Sequence, residues 1–207
     1  MIRWAAATLL LTAVFACGGA DSTALLVACD GAASSAETTG SPVNPEAAAE
    51  MTIAEMLGAD PRFTRFHALL DRTMSTGLNQ SWLEIFDWPA SRMGDSQEGV
   101  TVFVPDDAAF ERLDPGLLTV IEDPQLDNEI RYTLVGHHYV HSLYPSSEFE
   151  AGPQRTWRGA GSVELTLEPL AWGGCPLVQT DIRVSNGYIH VVDGIVIPAD
   201  LRRAAEG

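Results

Sequence analysis

Apolar residues recur at helical spacing through the first half of the chain and alternate with polar ones through much of the second. Phe63, Phe66, Leu69, Leu70 and Met74 fall on one face of a 3.6-residue period, which predicts an amphipathic helix ending near Gly77. Asp60-Pro61 opens it, with a side-chain cap followed by proline at the first helical position. Upstream, Thr52 and Glu55 have the spacing of a capping box, and Met51 and Met56 are placed as its hydrophobic staple. Asp-Pro returns at 114–115 and 123–124, the second time leading into Leu126, Ile130 and Leu134. Asp106 or Asp107 is placed to cap a short helix through Phe110.

Strand patterns take over afterwards. Thr101 to Val104 is a short β-favouring run halted by Pro105. Val163, Leu165 and Leu167 alternate with Glu164, Thr166 and Glu168, as in a strand with one wet face. Ile182 to Val184 and Tyr188 to Val192 flank Ser185-Asn186-Gly187, and Asn-Gly between apolar runs predicts a hairpin whose turn uses positive φ. Ile195 to Ile197 then closes at Pro198. Helices gathered first and strands gathered later indicate an α+β domain, not an alternating α/β sheet.

The N-terminal third reads differently. Arg3 precedes an apolar run over 4–16, and small residues follow at Ala16-Cys17-Gly18-Gly19, the pattern of a signal peptide over 1–16 and too short for a membrane span of ~20 residues. Residues 17–50 hold five acids and no base, are rich in Ala, Ser, Thr and Gly, and show no apolar period; they are expected to form an extended tether to a domain over 51–207. Val14-Phe15-Ala16-Cys17 resembles a bacterial lipobox, so Cys17 is the expected lipidation site, with Leu26-Val27-Ala28-Cys29 the alternative and simple cleavage after Ala16 a third. If Cys17 carries lipid, an oxidising compartment permits Cys29 and Cys175 to pair; if Cys29 is the anchor, Cys175 is a lone thiol.

Charge narrows the partners. The chain has 28 acids against 12 bases, all of them Arg, for a formal charge of −16. Such a polyanion repels phosphate backbones, which excludes nucleic acid as a partner and leaves contact with membranes to a lipid anchor.

Three blocks now align with a family. Thr101-Val102-Phe103-Val104-Pro105-Asp106-Asp107-Ala108-Ala109-Phe110 resembles the first signature of fasciclin domains, and Ser185 to Pro198 resembles the second. Between them, Leu134 to Phe149 is similar to the segment that carries the family's Tyr-His pair, here His137-His138. The likeness runs from about Met51 to Leu201 and implies a β-wedge or sandwich with helices packed along it, used for extracellular adhesion. Asp181-Ile182 stands where some animal members carry an adhesive Asp-Ile pair, although Gln179, Thr180 and Arg183 do not match the longer motif.

The expected function is therefore a non-catalytic module, tethered or secreted, that contacts an extracellular protein or polysaccharide. Its candidate contacts are Asp181, Ile182, His138, Tyr139 and Tyr144. A carrier of a small apolar ligand and a hydrolase using Asp106 or Asp107 with His138 are the alternatives. His137, His138 and His141 cluster in sequence, yet in an extended strand His138 points away from the other two, so no metal site is expected, and no cofactor motif is present. A buried His138 bonded to a carboxylate such as Asp106 is the plainer reading. Trp82, Phe86 and Trp88, in a segment longer than the family's usual one, either pack under the domain or form a binding lip.

Overall fold

A computed structural model of the chain describes residues 28–30, 43–93, 98–157, 161–198 and 201–203. The expected signal peptide over 1–16 and the lipidation site Cys17 lie outside these residues.

The helical half follows its capping signals. A short helix α1 (Pro45–Ala48) is capped by Asn44. Helix α2 (Ile53–Ala59) starts at the Thr52–Glu55 capping box, in which both reciprocal bonds are made. The segment opened by Asp60 divides into a 3-10 turn over Pro61–Phe63 and helix α3 (Thr64–Arg72). That helix stops five residues short of Gly77, because Thr73 is extended and Met74 bridges to Ser81. A second capping box, Ser81 with Glu84, starts α4 (Trp82–Phe86). Later come α5 (Asp107–Glu111), capped by Asp106, and α6 (Pro115–Glu122), capped by Asp114. Asp123-Pro124 opens no helix: Asp123 accepts the Gln125 amide, and α7 (Asn128–His137) is capped by Asp127 instead.

The strands are β1 (Ala28–Asp30), β2 (Val100–Pro105), β3 (Tyr139–Val140), β4 (Gly152–Arg155), β5 (Ser162–Leu167), β6 (Leu170–Trp172), β7 (Cys175–Val184), β8 (Gly187–Val192) and β9 (Ile195–Ile197). Seven of them form one sheet in the order β3-β2-β8-β7-β6-β5-β4, with β2 and β8 parallel, while β1 pairs with β9. The architecture is α+β, as the pattern predicts.

Alternation along β2 sends side chains into two cores. Val100, Val102 and Val104 face the main core under the helices, where they meet Phe66, Leu70, Phe86, Ile189 and Val191. Phe103 points the other way into a smaller core with Val163, Leu165, Trp172, Val192 and Val196. Phe103 stacks on Trp172 with ring centroids 3.8 Å apart, although two strands separate β2 from β6 in the sheet. The sheet must therefore fold over on itself, and β7 provides the bend. Its pairing with β8 shifts register between Leu177 and Gln179 and again before Ile182, while its first residues pair with β6. With a core on each side, β2 is buried along its whole length.

Two pieces of the stretch read as a tether are ordered. Cys29 is disulfide-bonded to Cys175, 146 residues away, and this bond holds β1 beside β9. In this pairing the Cys29 sulfur is engaged with Cys175. Near α1, Ala48 is fully buried and Val43 donates its N–H to Asp60. Neither piece shows a period of its own, because each borrows its order from the domain.

Candidate functional site

His137 and His138 are internal. His137 ends α7 and His138 caps it, so they occupy a helix terminus and not the expected strand. The Nδ1–H of His138 donates to the Leu134 carbonyl at 2.9 Å, and its Nε2 accepts the Val196 N–H at 3.2 Å. Both ring nitrogens are spent on backbone, which replaces the expected Asp106 partner. Burial, helped by neighbouring His137 and opposed by the Leu134 carbonyl, pushes the His138 pKa down to about 4. A neutral ring 1% exposed cannot act on a substrate. Asp106 accepts the Ala109 amide as a cap, while Asp107 takes the Arg65 amide at 2.9 Å and the Thr64 hydroxyl. The hydrolase constellation is accordingly not assembled. Among the described residues, no three His, Cys, Asp or Glu side chains gather as a metal site would require.

Asp181 stands on the β7 irregularity at φ 60°, a left-handed conformation that Asp tolerates better than most residues. Its exposed carboxylate accepts the Ser146 N–H at 2.7 Å and the Ser146 hydroxyl. Its own N–H donates to His190 Nδ1 at 3.1 Å, and His190 Nε2–H donates to the Tyr144 carbonyl at 2.9 Å. Burial would raise the Asp181 pKa, but the Ser146 bonds and the neighbouring His190 hold it below the usual carboxylate value. Burial lowers His190, against the pull of the Tyr144 carbonyl and the Asp181 charge. This corner is a latch between β7 and the 144–148 loop. Ile182 beside it is only 7% exposed, and Tyr144 is half-buried against Phe149. Of the five candidate contacts, His138, Tyr139 and Ile182 lie in the core, burial that the plainer reading expected for His138 alone, while Asp181 is exposed.

The surface feature with binding geometry lies elsewhere. The Ser81–Glu84 capping box sets α4 so that Trp82, Ile85 and Phe86 point inward. Buried Asn186 then holds the following turn, donating from Nδ2 to the carbonyls of Phe86 and Trp88, each at 2.8 Å. Trp88 is thereby left half-buried at the rim, with the Arg92 guanidinium 4.0 Å above its ring. From the other side, Trp157 donates its backbone N–H to Tyr139 and its indole N–H to the Tyr132 hydroxyl. Its ring meets Trp82 edge-on at 5.3 Å and His141 edge-on at 4.8 Å.

These rings enclose a surface cleft of about 80 Å³, with Leu78 on its edge 53% exposed. Two polar atoms in its walls, Trp82 Nε1 and Ser75 Oγ, are buried with no hydrogen-bond partner among the described residues. Trp82 and Phe86 thus pack under the domain, and Trp88 lies half-buried at the cleft. Tyr139 reaches the cleft as part of its wall. A larger depression of about 330 Å³ is lined by Arg65, Arg72 and Glu122, with the Glu122 carboxylate 2.6 Å from Arg65.

The chain matches the model of the Fasciclin domain over residues 61–198. It is 27% identical to human periostin over 109 residues, 51% of this chain and 13% of periostin. It is 28% identical over 103 residues to an uncharacterized protein of Synechocystis sp., sll1735, covering 47% of this chain and 71% of that one. In structure it is similar to a FAS1 domain pair from the insect cell adhesion molecule Fasciclin I, with a TM-score of 0.55 and 14% identity over 74% of this chain and 53% of that one. The chain thus spans a small part of periostin and about half of the Fasciclin I pair.

Proposed function

The chain belongs to the fasciclin domain family, and from that premise we propose that it is a non-catalytic adhesion module that contacts an extracellular protein or polysaccharide through its aromatic cleft. The observation that carries this reading is the set of indoles around the cleft, with Trp88 at its rim and Trp82 and Trp157 in its walls. Aromatic rings at a surface supply large apolar contact at low entropic cost, which is why they dominate binding hot spots. Fasciclin domains are in general adhesion-related modules of extracellular proteins. The Cys29–Cys175 bond suits that setting, because such bonds persist in oxidising compartments. Lipidation of Cys17 would tether the module to a membrane, and cleavage after Ala16 would release it.

A carrier of a small apolar ligand is less well served. Pockets that enclose whole ligands measure roughly 300–1,000 Å³; the cleft of about 80 Å³ accepts only one projecting group. The depression of about 330 Å³ is lined by the charged Arg65, Arg72 and Glu122, which suit an apolar ligand poorly. The test is sedimentation of the purified chain with whole cells of the producing species and with their isolated surface polymer. Saturable binding that Trp88→Ala weakens and Asp181→Ala leaves unchanged supports the module and its surface. A folded chain that binds neither contradicts it.

A further inference from the structure

We propose that the depression between α3 and α6 is a second site, separate from the cleft, for a small organic acid that carries one carboxylate on an apolar body. Helix α3 supplies Arg65 and Arg72 from the same face as Ala68 and Leu69, and α6 supplies Ile121 and Glu122 from its last turn. The space of about 330 Å³ therefore has an apolar floor under a charged rim. Its volume falls among pockets that take whole small ligands, roughly 300–1,000 Å³. The two guanidiniums are in different states. Arg65 is spent on the Glu122 carboxylate at 2.6 Å. Arg72 is exposed, and its one hydrogen bond among the described residues reaches the Glu122 carbonyl at 3.5 Å, the outer limit of such a bond. A guanidinium offers its donors in a planar fork that matches a carboxylate, and this single long bond leaves most of the Arg72 fork open.

Charge sets the class of ligand. Two guanidiniums line the site against one carboxylate, and a monoanion cancels the single positive charge left over. Asp107 beside them is held by the Thr64 hydroxyl and the Arg65 amide. A dianion, a phosphate ester included, would meet Glu122 as well as the field of a chain that carries −16, and is disfavoured. An uncharged apolar ligand would strip water from the rim and offer the charges nothing in return. A bare inorganic anion would leave the floor of Ala68, Leu69 and Ile121 uncovered. A carboxylate with a compact hydrocarbon body serves rim and floor together.

The experiment titrates the full chain, isotope-labelled, with hexanoate, with uncharged hexanamide and with the dicarboxylate adipate. The expected result is saturable movement of the Arg72 Nε–H signal and of the Ala68 and Leu69 methyl signals with hexanoate, none with hexanamide, and weaker binding of adipate. Arg72→Gln should lower the hexanoate affinity about tenfold or more, the equivalent of a charge-assisted hydrogen bond. Glu122→Gln releases Arg65, so it should tighten hexanoate and narrow the gap to adipate. Trp88→Ala, at the separate cleft, should leave hexanoate binding unchanged. Urea midpoints show that each variant remains folded. No saturable shift with hexanoate, equal binding of hexanamide, full affinity in Arg72→Gln, or shifts confined to the indoles of the cleft would overturn the assignment. No cells enter this titration, so the adhesion reading stands or falls separately.

Discussion

Asn186 Oδ1 accepts the backbone N–H of Ile53 at 2.9 Å, joining residues 133 positions apart. With the same side chain donating to Phe86 and Trp88, one amide ties the start of α2, the end of α4 and the lip of the cleft to the β7–β8 turn. Asn186→Ala leaves one buried N–H and two carbonyls unpaired. The expected loss is about 3–5 kcal/mol of stability, read from urea unfolding. Binding should weaken as well, in any preparation that remains folded, because Trp88 loses its tether.

Gly187 is required by proximity. A Cβ there would lie 1.9 Å from the Val100 carbonyl oxygen, within the parallel β2–β8 pairing. Backbone cannot yield as a flexible side chain does, so Gly187→Ala is expected to cost more than ~3 kcal/mol or to prevent folding. Expression level and thermal unfolding beside wild type decide this. A variant as stable as wild type would show that the two strands do not approach so closely.

That pair of residues also shows how far the sequence could be read. Asn-Gly predicted the hairpin correctly for a different reason: neither Asn186 nor Gly187 adopts positive φ, and the turn is made by Ser185 and Asn186. Local signals were legible wherever the physics is local, as at the Thr52–Glu55 box, the Asp106 and Asp114 caps and the alternation of Val163 and Leu165. The Ser81–Glu84 box was equally readable, and it would have placed Trp82 inward. Strand β1 was not, since Ala-Cys-Asp has no pattern apart from its disulfide and β9. Nor was the cleft, whose walls come from residues 75–93, 132, 139–141 and 157 and meet only in the fold.

Acid should destabilise the domain in two phases. Above pH 6.5, His138 is neutral in both folded and unfolded chains, and its full contribution is present. Between about 6.5 and 4 the unfolded chain binds a proton that the native site refuses, so stability falls as pH falls. Below about 4 the loss from this ring levels off at about 3 kcal/mol. His137 and His190, also lowered chiefly by burial, act in the same direction. Asp60 differs. Burial would raise its pKa, but hydrogen bonding and charge from Arg62 hold it low, so its contribution is lost only as pH drops below the ordinary 3.8. Urea midpoints from pH 7.5 to 4.5 should decline in wild type and less steeply in His138→Gln. A flat wild-type profile would contradict the buried neutral ring.

Reduction should loosen the N-terminal end of the fold. Cross-linking residues separated by 146 positions restricts the unfolded chain, worth ~5 kcal/mol in the chain-entropy treatment. Cys29→Ala/Cys175→Ala should unfold at markedly lower temperature, and reductant should no longer shift its transition. Hydrogen exchange at Ile195 and Ile197 should accelerate in the variant, since these residues flank Val196 in the β1–β9 pairing, whereas the Val196 N–H itself is held by His138.

Replacing the cleft's rim should separate binding from stability. Trp88 is half-buried, so Trp88→Ala is expected to cost about 1 kcal/mol of stability or somewhat more. Its effect on attachment to cells should be larger, tenfold or more, as for an aromatic anchor at the centre of a contact. Parallel titrations of cell binding and urea unfolding check this. Proportionate losses in both would mean that the ring serves packing alone.

The central claim is that partners are bound at the aromatic cleft and not at the Asp181–Tyr144 corner. It is tested most directly by the amide and indole N–H resonances of isotope-labelled protein, titrated with isolated surface polymer of the producing cells. The account predicts saturable shifts of the indole signals of Trp82, Trp88 and Trp157, with the amides of Asp181 and Ser146 unmoved. Shifts centred on Asp181 and Ser146 with the indoles silent would contradict it.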